Sequence, residues 1–172
     1  AHAAAGALLT YAEHTQGRSL PHVSQLKVQK ANDLIDLPAS TRRNLELTQT
    51  LRGEDAPTLF SLLDTCMTGM GSRQLKQWLL NPPRDRQIAV DRLAAIGQLN
   101  DNSAAAQSGV AIWHRLREQL KGASDVERIT ARIALRQVRP RELVALKNAL
   151  IRSSKLAIHL QETLGHLSPT KL

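Results

Sequence analysis

Apolar positions fall at helical spacing on both sides of a proline break in the stretch MGSRQLKQWLLNPPRDRQIAVDRLAAIGQL, residues 70–99. Before the break, Leu75, Trp78 and Leu79 recur at i, i+3 and i+4, which is one helix face. Gly69 and Gly71 punctuate its entry, and Thr68 or Ser72 supplies a cap. Pro82 and Pro83 end it, because proline donates no N–H and clashes with the preceding turn. Asp85 offers the next N-cap, and Ala89, Leu93, Ile96 and Asn100 mark the inner face of the following helix. The pattern predicts a helix–corner–helix unit with a fixed bend and no catalytic group.

Around this corner the pattern is mostly helical. Residues 3–16 read as a helix stopped by Gly17 and Pro21. Val23 to Gln29 and Asp33 to Leu37 alternate, with Ala31-Asn32-Asp33 as a turn, and predict a β-hairpin. The stretch PASTRRN, residues 38–44, suits a short helical turn. Leu45 to Thr48 alternates again, so it reads either as a third short strand or as a helix continuing through Leu47. Thr58 caps a short helix carrying Leu59, Leu62 and Leu63. The weakly patterned DNSAAAQSG, residues 101–109, reads as a mobile loop. Val110, Trp113, Leu116 and Leu120 give a helix ended by Gly122.

Ser124 and Glu127 have the spacing of a capping box ahead of a helix with Val126, Ile129 and Ile133 inside. Pro140 fits the first position of a last helix, and Glu142 suits its positive end. That helix carries Leu143, Leu146, Leu150, Ser153, Ala157, Leu160 and Leu164 in an a/d seam closed by Gly165 and Pro169. Packing within a bundle explains the seam more simply than a coiled-coil dimer, because its middle is weak. The expected fold class is therefore mainly α: a multi-helix bundle with a small antiparallel β element of two or three short strands near the N-terminus.

Composition narrows the chemistry. The chain has 172 residues, enough for one domain with a core, and 42% of them are hydrophobic. No apolar run approaches a membrane span, and AHAAAGALL lacks the basic region of a signal peptide. The chain does not begin with Met, as a fragment or a processed chain would not. The single cysteine, Cys66, forms no internal disulfide and fits a reducing, cytoplasmic setting, where it reads as a small core residue. A net charge of +8 permits an anionic partner such as nucleic acid. The few aromatics, Tyr11, Phe60, Trp78 and Trp113, argue against a single-strand binder that stacks bases, and three of them sit on apolar helical faces where core packing is the default.

Catalytic and metal motifs are missing. No G-x-x-x-x-G-K-[ST] loop occurs, and GMGS at 69–72 lacks its lysine and a preceding strand. None of the six histidines pairs with Cys, His or a carboxylate at ligand spacing. No Ser/His/Asp or paired-carboxylate arrangement stands out. The sharpest charge feature runs from Arg128 to Lys155, with Arg132, Arg136, Arg139, Arg141, Lys147 and Arg152 between and Glu142 the one acid. Arg128, Arg132 and Arg136 recur every four residues and predict a ridge on one helix side. A solvated face, or arginines bridging to the acids of a neighbouring domain, explains this run more simply than a phosphate-facing surface. On the phosphate-facing reading, Arg132, Arg136, Arg139, Arg141 and Lys147 are the weak DNA-facing residues.

Three segments in this order, TRRNLEL at 41–47, MGSRQLKQWLLNPPRD at 70–85 and DVERITARIALRQVRPRELV at 125–144, resemble the core domain, domain III, of the bacterial MutS DNA mismatch repair family. The resemblance covers nearly the whole chain and is weakest over 102–122. It implies that residues 1–17 are the end of a connector, or junction helix, and that 18–172 are the first segment of the core domain, before the clamp. It implies a structural role that links connector, clamp and ATPase segments and transmits conformational change, with no catalytic activity of its own. Mismatched duplex binding, ATP with magnesium, homodimer contacts and a MutL-type partner would belong to the rest of such a protein, and no membrane is implied. Arg42, Asn44, Glu46, Gly71, Arg73, Trp78, Pro82, Asp125, Arg128 and Pro140 match the family's motif positions. Among the polar ones, Arg42, Asn44, Glu46, Arg73 and Arg128 are expected to include buried ion-pair or helix-capping residues rather than ligand contacts; plain surface exposure is the alternative.

Overall fold

The structure is a computed structural model that describes residues 2–17, 19–20, 23, 25, 28, 33–100 and 111–164. The chain forms two compact units, Ala1–Asp33 and Leu34–Leu172. The first unit carries helix α1, His2–Gln16, which stops at Gly17 with a φ of 64°.

In the second unit the described helices are α2 (Ala39–Asn44), α3 (Leu59–Leu63), α4 (Gly69–Leu80), α5 (Arg86–Leu99), α6 (Ile112–Leu120), α7 (Val126–Ala134) and α8 (Pro140–Leu164). Local side-chain chemistry starts most of them. Thr58 and Ser61 form a reciprocal capping box at α3. The Thr68 hydroxyl accepts from Gly71 N at α4, and the Asp85 carboxylate from Gln87 N at α5. Asn81 closes α4 immediately before Pro82 and Pro83, as the proline break predicts. At the end of α6 the chain reverses through Gly122, whose φ of 71° suits a residue without a Cβ.

No strand is present among the described residues. The expected hairpin over 23–37 lies partly outside them. What remains is a single antiparallel bridge, Leu34 to Pro83, with Ile35 N donating to Pro82 O at 2.9 Å. Prolines at 82 and 83 have no N–H to return, so the pairing does not propagate into a ladder. The expected third strand at Leu45–Thr48 is instead a helix terminus. Glu46 N donates to Arg43 O and Leu47 N to Arg42 O, at 3.0 and 3.3 Å, and Glu46 takes a φ of 46°. This is a Schellman closure with glutamate in the position usually held by glycine. The chain then loops out and returns, with Leu59 N donating to Glu46 O and Phe60 N to Leu47 O. The loop buries Leu47, Thr50 and Thr58.

The apolar core is sparse. Leu47, Ile112 and Ile129 are the buried hydrophobic residues among those described. Positions expected inside are largely open: Leu93 is 66% exposed, Ile96 58% and Leu150 56%, while both Trp78 and Trp113 are 42% exposed. Cys66, expected in the core, is exposed. The expected mobile loop at 101–109, like the closing Gly165 and Pro169, lies outside the described residues.

Thr58→Ala removes the side-chain half of the α3 capping box and a buried hydroxyl. We expect it to lower stability by about 1 kcal/mol in urea unfolding, with Gln98→Ala as a near-neutral control.

Candidate functional site

The N-termini of α4 and α7 meet through charge. Arg73 lies in the first turns of α4, and Thr68 fixes where that helix begins. Asp125 is the N-cap of α7, where its Oδ1 accepts from Arg128 N at 3.1 Å. Arg73 spans the gap in a fork: Nη1 donates to Asp125 Oδ2 at 2.7 Å and Nη2 to Asp125 Oδ1 at 2.9 Å. Nη2 also reaches the Glu127 carboxylate. A planar guanidinium matches a carboxylate in this two-pronged way, and a lysine would not. Donation from Arg73 holds the Asp125 carboxyl below the usual carboxylate range against the opposing effect of burial, with help from the Arg128 N–H. The two acids in turn raise the Arg73 guanidinium further above its ordinary value.

This corrects the expected capping box. Asp125, not Ser124, caps α7, and Glu127 turns to Arg73. A carboxylate offers two oxygens, so Asp125 takes both prongs of the arginine while it caps a helix; a serine hydroxyl, with one oxygen, cannot take the fork.

Further ties hold each side of this clasp. Asp64 accepts from the Ser72 hydroxyl, which lowers the Asp64 carboxyl pKa. Partial burial, then the neighbouring Asp64, pushes the Cys66 thiol up, so it is no activated nucleophile. Gly71 sits so close that an added Cβ would lie 3.3 Å from Thr68 Oγ1 and 3.4 Å from Cys66 Cβ. The Arg92 guanidinium lies 3.8 Å from the Trp78 ring centroid and so links α5 to α4. Pro82 forms the corner and accepts from Ile35 N.

The basic segment is resolved into separate roles. Arg128 Nε lies 3.5 Å from Asp125. Arg132 pairs with Glu142, whose other oxygen accepts from Arg139 N at 2.8 Å and so caps the helix that starts at Pro140. The Arg139 N–H, then the charge and hydrogen bond of Arg132, hold Glu142 low. Arg152 Nη1 donates to Gln119 O at 3.2 Å and Lys121 O at 2.7 Å, covering the negative C-terminal end of α6. The predicted ridge ends early. Arg136 has a φ of 54° and closes α7 by a Schellman turn, with Arg136 N donating to Ile133 O and Gln137 N to Arg132 O. Arg136 therefore leaves the helix face shared by Arg128 and Arg132. Among the described residues, no ion pair reaches Arg136, Arg139, Arg141 or Lys147.

Of the remaining motif residues, Glu46 accepts from Leu51 N at 2.7 Å through Oε1, Asn44 is the exposed last residue of α2, and Arg42 is half-buried with its Nε atom sealed from solvent. The Arg73–Glu127 contact, the Arg152 cap and the Asp64–Ser72 bond are invisible to local pattern. Two of them join residues more than thirty positions apart, and no spacing rule reports such pairs.

The depressed Asp125 pKa has a pH signature. Its stabilisation is present above the unfolded carboxylate value of about 3.9 and is lost as pH falls through the lower folded value. We expect Asp125→Asn, which keeps a capping side chain, to unfold at lower urea than the parent at pH 7, with the difference shrinking below about pH 4. A pH-independent gap would show that the charge pair contributes nothing.

Among the described residues no cluster of three or more His, Cys, Asp or Glu is placed to hold a metal ion, and no helix is long and apolar enough to cross a membrane. The arrangement is one of helix caps and ion pairs that fix helix termini against one another. The family model of MutS domain III matches residues 40–171. That span takes in the Glu46 closure, the Arg73–Asp125 clasp and the Pro82 corner, and this chain therefore belongs to the MutS domain III family.

Proposed function

We propose that this chain is the connecting core of a mismatch repair protein. It joins connector, clamp and ATPase segments, passes conformational change between them, and does no chemistry itself. The observation that carries this reading is the Arg73–Asp125–Glu127 clasp, which fixes two helix starts to each other through polar groups, Arg73 and Asp125 lying 52 residues apart, rather than through a large core. The open apolar faces agree with it. Val90, Leu93 and Ile96 on α5, and Leu143, Leu150 and Ile158 on α8, are all more than a third exposed, as surfaces meant for neighbouring segments in cis would be. On this reading residues 1–17 are a junction helix and 18–172 the core segment. ATP, magnesium, the mismatched duplex, the homodimer contact and a MutL-type partner all belong to other parts of the cytoplasmic parent.

A second reading, an autonomous basic nucleic-acid-binding module, draws on Arg136, Arg139, Arg141 and Lys147, whose side chains form no ion pair among the described residues. Duplex binding separates the two. The core reading expects weak binding, equal for matched and mismatched duplexes, that collapses between 50 and 200 mM salt (about physiological at the upper end). It also expects no ATP turnover by the purified chain. Tight, mismatch-selective binding would favour the module. In the intact parent, replacing Pro82 and Pro83 together should weaken coupling between ATP and DNA more than either binding event; unchanged coupling in a folded variant refutes the joint.

A further inference from the structure

The corner between α4 and α5 is held from two sides. Helix α4 ends at Leu80 and α5 starts at Arg86, so residues 81–85 carry the whole bend. Asn81 N donates to Gln77 O at 2.9 Å and moves with α4, while the Asp85 carboxylate caps Gln87 N and moves with α5. Between them the rings of Pro82 and Pro83 fix two φ angles. Pro83 also confines the ψ of Pro82 to the extended basin, which is still about 40° wide. That torsion sets the direction of the Pro82 carbonyl, because the peptide that follows is planar. Ile35 N donates to this carbonyl at 2.9 Å and so holds the plane between the two rings.

Ile35 belongs to a strap, residues 34–37, that begins the second unit with the bridge at Leu34 and leads through Pro38 into α2. Ala39, the first residue of α2, lines one cleft with Leu80, the last of α4, so both ends of the strap lie at the same end of α4. The attachment at Ile35 is built to let go. An antiparallel pair of this kind exchanges two hydrogen bonds, but Pro82 has no N–H to return to Ile35 O. Ile35 is also 46% exposed, so water competes for its N–H. The second hold lies across the bend, where the Arg92 guanidinium of α5 sits 3.8 Å from the centroid of the Trp78 ring of α4. This stack joins the two helices themselves and so restrains the torsions that the strap does not touch. We infer that the strap and the Arg92–Trp78 stack form a two-point lock on the α4–α5 angle, with Ile35 the positioning residue, so that drawing the strap off the Pro82 carbonyl frees α5 to pivot. The lock deepens the transmitting role proposed above: a displacement arriving along the chain at Leu34 becomes a change of helix angle.

The test uses the full chain with Cys66→Ser, and with spin labels on the exposed positions 74 and 94 through Gln74→Cys and Ala94→Cys. Pulsed electron spin resonance then reads the distance between α4 and α5. A pivot of about 20° moves Ala94, about 13 Å along α5, by about 4 Å. Ile35→Pro removes the N–H at a site where the bridge already holds Leu34 extended, as a residue before proline must be, and it should broaden the distance distribution by about that amount. Ile35→Ala keeps the N–H and should leave the distribution narrow. Arg92→Gln removes the stack and leaves the strap, and exchange of the Ile35 amide, followed by NMR, should then quicken about two- to fivefold. An unchanged distribution in a folded Ile35→Pro overturns the lock, and so does equal broadening in Ile35→Ala. Where Ile35→Pro does not fold, Arg92→Gln decides alone, and an unchanged Ile35 exchange rate overturns the lock. No arm uses nucleotide or DNA, so a failure of the lock is distinct from a failure of the core reading, which is measured as coupling in the intact parent.

Discussion

A single arginine carries the register of this domain. Arg73 enters from one helix start and meets the cap of another, and the flanking contacts matter only if that meeting holds. On its α4 side, Asp64, Ser72, Trp78 and Arg92 bind α3, α4 and α5 into a block. On its α7 side, Arg132, Glu142 and Arg152 tie α6, α7 and α8 together. With three hydrophobic residues buried among those described, apolar packing alone does not specify how the blocks meet. Exposed ion pairs are individually weak, but a two-pronged pair that also caps a helix couples orientation to helix formation. Losing it removes a direction as well as a contact.

The two left-handed residues that are not glycine show how α2 and α7 stop without one. Glu46 and Arg136 both occupy the position past a helix end where a Cβ costs about 1–2 kcal/mol. Glu46 recovers part of that by holding Leu51 N, and in doing so it folds the loop that buries Leu47, Thr50 and Thr58. Arg136 makes no comparable side-chain bond among the described residues. Its effect is to turn the chain between α7 and α8, where Arg132 and Glu142 close the angle.

What the sequence disclosed follows from this. Caps at Thr58, Thr68 and Asp85, the stop before Pro82 and the start at Pro140 were legible because each is a bond within a few residues of itself. The helical character and the family could be read from three motifs for the same reason. The Schellman closures were not legible: alternation at Leu45–Thr48 imitates a strand, and no glycine marks either turn. Nor did periodicity reveal that the faces of α5 and α8 stay open, since an apolar stripe looks the same whether its cover lies in this segment or another. The Arg73 clasp needed three dimensions. Its members appear in two separate motifs, and nothing in either names the other.

Helix α8 has a mechanical consequence of its own. With 25 residues it is about 37 Å long, so a tilt of about 10° at Pro140 carries the Leu164 end some 6 Å sideways. Arg152 sits about halfway along, where the same tilt amounts to about 3 Å. Its guanidinium rests on two carbonyls of the α6 terminus, and a hydrogen bond does not survive a displacement of that size. The arginine therefore acts as a detent. Small bending of the rod is resisted by bonds that stay made, and a large swing must first release both.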